Sequence, residues 1–169
     1  MGASQIPASS GGGTADNYVL ISSVTPTAAA STVSFTGISG YRKLMLRHVA
    51  TTLATAGNLT VTFNSDTGTN YAYAKIEGTT TMDNKQTQIE TKIALGTTNV
   101  AAQLGATYII DGVAGSGPKP FTGFGNTSST TVASINGVYV ASAAITTVTL
   151  TASTTFSGVG TVALYGVLS

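Results

Sequence analysis

The chain contains no cysteine and no tryptophan, only one histidine, and very little charge. Without cysteine there is no disulfide framework and no thiolate metal ligand. With His48 as the only imidazole, a zinc site would have to be built from carboxylates, which makes one improbable on chemical grounds. Nucleophilic hydrolysis fares no better: it needs a serine on a sharp strand–helix turn, a base and an orienting acid, and no G-x-S-x-G occurs. His48 itself reads as a residue tolerated at a sheet edge. Seven basic and six acidic residues give a net charge of +1, far from the basic excess of a nucleic-acid binder. No apolar run approaches the roughly 20 residues of a membrane-spanning helix. The opening MGASQIPASSGGG lacks the charged and apolar regions of a signal peptide.

What remains is a composition made for sheets. The chain has 169 residues, of which 42% are hydrophobic and only 8% charged, against about 25% charged in ordinary globular chains. Threonine alone outnumbers all charged residues together. Its branched β-carbon suits a pleated, half-wet surface. The length fits one domain with a proper core. A surface so poor in charge has little colloidal repulsion, and is better suited to lying against neighbours than to drifting alone at high concentration.

Residues 1–16 are small, polar and glycine-rich, the composition of a flexible linker. We read them as an extended arm that docks on a neighbouring subunit, with Ile6 and Pro7 as its anchors. Residues 17–169 carry period-two alternation, and about nine or ten strands at the spacing of sandwiches and jelly rolls. Strands are expected at Tyr18–Val24, Thr32–Phe35, Tyr41–Leu53, Tyr108–Val113, Ile145–Leu150 and Val159–Val167. Asn58 to Gly78 reads as a hairpin: Leu59, Val61 and Phe63 share one face, Asn64 to Gly68 form the loop, and Tyr71 and Tyr73 return. A second hairpin is expected over Thr131–Val140, turning at Asn136-Gly137. Residues 114–120 read as a loop whose prolines bar a central strand, with Phe121 and Phe124 in a short strand or packed loop. Asp83–Leu95 reads as loop plus strand.

In the Tyr41–Leu53 strand, Lys43 and Arg47 share a face with Met45, while His48 shares the opposite face with Leu44 and Leu46. Lys43, Met45 and Arg47 are therefore candidates for a partner contact; the plain alternative is two solvated basic groups on one side of a sheet. Asn64, Asp66 and Asn70 offer oxygen atoms to calcium, but the terminal glutamate of an EF-hand is missing and an Asx turn accounts for them. The acids Asp16, Asp66, Glu77, Asp83, Glu90 and Asp111 show no pair spaced for glycoside hydrolysis. Gly112 to Lys119 resembles a phosphate loop in glycine content only, because Pro118 removes an N–H and no helix follows. Tyr71 and Tyr73 share a strand face and could stack on a glycan; tyrosines in a sheet more often belong to a core or a subunit seam. No cofactor and no metal is implied.

The strand Ile38-Ser39-Gly40-Tyr41-Arg42-Lys43-Leu44 and the turn Phe63-Asn64-Ser65-Asp66-Thr67-Gly68-Thr69-Asn70-Tyr71 resemble motifs of small virion proteins of tailed bacteriophages, as does the closing strand Gly158–Val167. The likeness runs over roughly residues 17 to 169 and rests on structural turns. It implies an all-β, single β-sandwich of jelly-roll type with a virion location on the outer capsid surface or the tail. It further implies a capsid decoration (cement) role with the major capsid protein as partner, and a homo-oligomer with a trimer favoured. The alternative it carries is a tail-fibre or receptor-binding module that recognises host surface polysaccharide. A secreted carbohydrate-binding domain is a third reading, weakened by the missing signal sequence.

Overall fold

A computed structural model describes residues 16–78, 82–98, 104–126 and 131–169. The sequence predictions for Ile6 and Pro7 lie outside these residues. Twelve strands are present among them, more than the nine or ten expected. They are β1 (Val19–Val24), β2 (Thr32–Phe35), β3 (Tyr41–Thr51), β4 (Gly57–Phe63), β5 (Tyr71–Gly78) and β6 (Met82–Glu90). The second half of the chain adds β7 (Ile93–Thr98), β8 (Leu104–Asp111), β9 (Lys119–Asn126), β10 (Val132–Tyr139), β11 (Val148–Ala152) and β12 (Thr161–Leu168). No helix occurs among the described residues.

The strands form two antiparallel sheets, and the fold is an all-β sandwich. One sheet has eight strands in the order β1-β12-β3-β8-β9-β10-β5-β6; the other has four, β2-β11-β4-β7. Alternation explains the layering. In β3, Leu44, Leu46 and His48 are buried while Lys43, Met45 and Arg47 lie on the other face. β8 repeats the pattern without a break, burying Leu104, Ala106, Tyr108 and Ile110. The facing sheet contributes Val33, Phe35, Leu59, Val61, Phe63 and Leu150 to the same core. Such side chains, each removed from water, contribute on the order of 1.5–3 kcal/mol of transfer free energy.

The pairing of strands differs from expectation in several places. β4 and β5 are not a hairpin: β4 pairs with β11 and β7, and β5 with β10 and β6. Residues 64–70 therefore turn a corner between the two sheets. Asn64 and Ser65 take positive φ there, 54° and 55°, conformations asparagine tolerates and serine less readily. Asn136-Gly137 is not a turn either, but the middle of the unbroken strand β10. Gly137 is needed for close approach: a β-carbon there would stand 2.4 Å from Tyr73 Cβ and 2.5 Å from the Ala72 carbonyl oxygen. Phe121 and Phe124 belong to a full strand, β9, which runs centrally between β8 and β10 despite Pro120. Pro120 is tolerated because it sits at the second position of β9, before the ladder with β8 begins at Phe121. His48, expected at a sheet edge, is buried in a central strand flanked by β12 and β8. The Asp83–Leu95 stretch carries two strands, β6 and the start of β7.

Candidate interaction face

The two outer faces of the sandwich differ in chemistry. On the four-stranded sheet, Thr32 and Ser34 of β2, Thr149 and Thr151 of β11, and Thr60 and Thr62 of β4 stand in register. This is a lattice of hydroxyls, with Ser34 Oγ and Thr149 Oγ1 hydrogen bonded at 3.0 Å. Hydroxyls on a pleated surface are at ease in water.

The eight-stranded sheet presents something else. Across its ladders, Tyr165, Met45, Ile109, Thr122, Asn136 and Ala74 form one continuous row. The adjacent row runs Ala163, Arg47, Thr107, Phe124, Ser134 and Ile76. Phe124 is 64% exposed and Ile76 39%. One polar contact within the rows is Thr122 Oγ1 donating to Asn136 Oδ1 at 2.7 Å. Two rows of six side chains thus carry one charge, that of Arg47.

The basic residues beside this face are already engaged. Lys43 Nζ lies 2.6 Å from Asp16 Oδ2 and 3.1 Å from Asp111 Oδ1, and Arg42 Nη2 lies 2.6 Å from Asp16 Oδ1. Hydrogen bonds from Lys43 and then Arg42 hold the Asp16 carboxyl below its usual range. The bonds from Asp16 and Asp111 raise Lys43 in return. These exposed pairs add little stability, but they fix where the chain enters the domain and neutralise Lys43. Arg47 makes no ion pair among the described residues. Lys43, Met45 and Arg47 do share one outer face, as the alternation predicted. Phe124 and Ile76 extend it, and their alternation against buried Phe121, Gly123 and Tyr73 was the signal that could have found them.

Tyr71 and Tyr73, the predicted stacking platform, are a correction: both are buried and face the opposite sheet. Tyr71 Oη accepts from the Phe63 amide at 2.8 Å and donates to the Phe63 carbonyl at 3.3 Å. Its ring stacks on Tyr139 with centroids 4.8 Å apart. Burial pushes its hydroxyl up to about 12. Tyr73 Oη accepts from the Ala94 amide at 3.1 Å, tying β5 to β7 of the other sheet. Neither ring has a face to offer a sugar.

Asp66 is the hub of the inter-sheet corner. Its Oδ1 accepts from the Gly68 amide at 2.8 Å, the Asx turn expected, and its Oδ2 accepts from Asn70 Nδ2 and from Tyr139 Oη, each at 2.8 Å. Those donors, Asn70 foremost, lower its pKa. Asn64 Oδ1 instead accepts from the amides of Thr146 and Thr147, at 2.8 and 3.2 Å. The three side chains are thus occupied in holding the corner. Among the described residues no group of three or more His, Asp or Glu is placed to hold a metal ion.

One buried polar residue escaped sequence reasoning, and another, His48, lies on its expected face but not at the expected sheet edge. Lys119 is fully buried, and its Nζ donates to the carbonyls of Gly117 at 2.8 Å and Ala141 at 2.6 Å, bolting two loops together. Burial lowers its pKa. His48 is 2% exposed, neither ring nitrogen makes a hydrogen bond, and burial lowers its pKa to about 4.

No protein-family model, curated protein or solved structure matches this chain.

Proposed function

We propose that the chain is a non-enzymatic structural protein of a tailed-bacteriophage particle, a jelly-roll module that decorates and cements the capsid. The observation that carries this reading is the outer face of the eight-stranded sheet, with one charge across two rows of six side chains and Phe124 and Ile76 exposed on it. A face of that kind is inexpensive to desolvate and suits a permanent contact.

Strand order supports the jelly-roll assignment. With the hairpins β5–β6 and β9–β10 set aside, β1-β12-β3-β8 faces β2-β11-β4-β7. Consecutive strands from β1 to β4 then alternate between sheets and are rejoined by β11 and β12, the double Greek-key wrap of a jelly roll. Several ionisable side chains are tied up in structure: Asp66 in the corner, Lys119 between loops, Asp16 and Asp111 on Lys43. In the particle, the subunit would contact the major capsid protein and its own copies, and repeated copies would supply avidity.

Copy number in purified particles, measured by quantitative mass spectrometry against the major capsid protein, tests the proposal. On the order of hundreds of copies is expected for a repeated surface contact. A few dozen or fewer would move the protein to the tail and overturn the cement role.

A further inference from the structure

The same sheet face says more about its occupant than that one exists. We infer that a second copy of this chain covers it, the two eight-stranded sheets packing outer face to outer face about a two-fold axis near β9 and β10. This deepens the structural-protein reading and rests on it for biological meaning, though not for the measurement.

Area is the first argument. A two-fold between β9 and β10 lays β3 through β6 of one copy over β6 through β3 of the other, six strands at about 4.8 Å and about seven or eight residues long at about 3.3 Å each, roughly 700 Å² of face. Specific contacts bury about 600–1,000 Å² per partner, so a face-to-face pair falls within the ordinary scale without help from other surfaces. Charge is the second. A strongly charged partner would find only Arg47 to pair with, because Asp16 and Asp111 already engage Lys43. An uncharged face is complementary to itself. With the axis between β9 and β10, Arg47 on β3 lies about 12 Å from it, and the two copies of Arg47 stand roughly 24 Å apart, well beyond the screening length of about 8 Å. The third argument is the contrast with the hydroxyl lattice on the other sheet, which has nothing to gain from leaving water. Near the axis Phe124, Ser134 and Ile76 lie side by side on three adjacent strands, so two copies place two aromatic anchors at the centre, where contact energy concentrates. Aligned sheets pack about 10 Å apart at about −30°, close enough for these side chains to interdigitate.

The absence of cysteine makes the test clean. Sedimentation velocity and light scattering on the purified full chain should give twice the 16.9 kDa chain mass. Phe124→Glu, at a site too exposed to threaten the fold, should raise the dissociation constant by at least about tenfold with unchanged thermal melting. Ser134→Cys should be cross-linked to a covalent dimer by a short bis-maleimide, which spans sheets about 10 Å apart, whereas Ser34→Cys on the hydroxyl face should not. A single-chain mass at about 100 μM, a trimer mass, or equal cross-linking by the two cysteine variants would overturn the inference. A monomer that still decorates particles in high copy would refute the pair alone, and leave the cement role standing.

Discussion

Replacing His48 with leucine should flatten the acid side of this protein's stability curve. The imidazole sits on the inner face of β3, opposite Val162 of β12 and Ala106 of β8, with Tyr108 stacked on it at 6.3 Å. Burial lowers its pKa from 6.5 to about 4, with the Leu104 backbone acting in the opposite direction. Tyr108 is itself pushed up by burial and stays neutral throughout this range. Between pH 6.5 and 4 the unfolded chain therefore binds a proton that the folded chain refuses. Stability is fully present above the unfolded value and is lost as pH falls toward the folded one. About 2.5 pH units at 1.36 kcal/mol each correspond to about 3 kcal/mol, as an order of magnitude. That is a large share of the 5–15 kcal/mol typical of a domain. Urea denaturation at half-unit steps from pH 7.5 to 4 measures it, and the difference between wild type and His48→Leu isolates this residue from the carboxylates. At pH 7 the variant should be no less stable than wild type, because two unpaired ring nitrogens are removed along with the imidazole. Parallel curves for the two proteins would refute the reasoning.

Other perturbations test the corner and the seams. Asp66→Ala deprives the Gly68 amide, Asn70 and the Tyr139 hydroxyl of their acceptor and should cost about 2–4 kcal/mol in urea. Its lowered pKa adds that the corner's contribution is intact above about pH 4 and lost as pH falls through the folded value, so acid should shrink the gap to wild type. Gly137→Ala should cost about 2–3 kcal/mol by thermal melting, since the β-carbon meets the backbone of β5; a near-neutral result would contradict a continuous β10. Tyr73→Phe should cost about 1 kcal/mol and speed hydrogen exchange at the Ala94 amide, which loses its partner.

How much of this was legible in the sequence follows from what alternation encodes. Period two tells which side chains are buried, and it placed Leu44, Leu46 and His48 opposite Lys43, Met45 and Arg47. It does not tell which strand lies beside which. Leu59 to Tyr73 alternates equally well as a hairpin or as a corner between layers, and the chain takes the corner. Asn136-Gly137 carries a strong local turn signal, yet Tyr73 and Phe121 press on Gly137 from both neighbouring strands, and packing overrides the local preference. Tyr71 and Tyr73 shared a face as expected, but which face met water depended on a second sheet that no short stretch reveals. The contact face was half legible for the same reason: β3 showed its outer residues, while Phe124 and Ile76 join them only once β9, β10 and β5 are laid side by side.

The strand order also dictates when the molecule can come together. β12 fills the gap between β1 and β3, and β11 the gap between β2 and β4, whereas β3 also pairs with β8 and β4 with β7, so it is β1 and β2 that have no ladder until the last two strands have been made. A nascent chain must hold these two strands unpaired for most of its synthesis, and closure of such distant partners is slow. Loss of the β12 segment would therefore separate β1 from β3 and strip β1 of its ladder, rather than trim an edge.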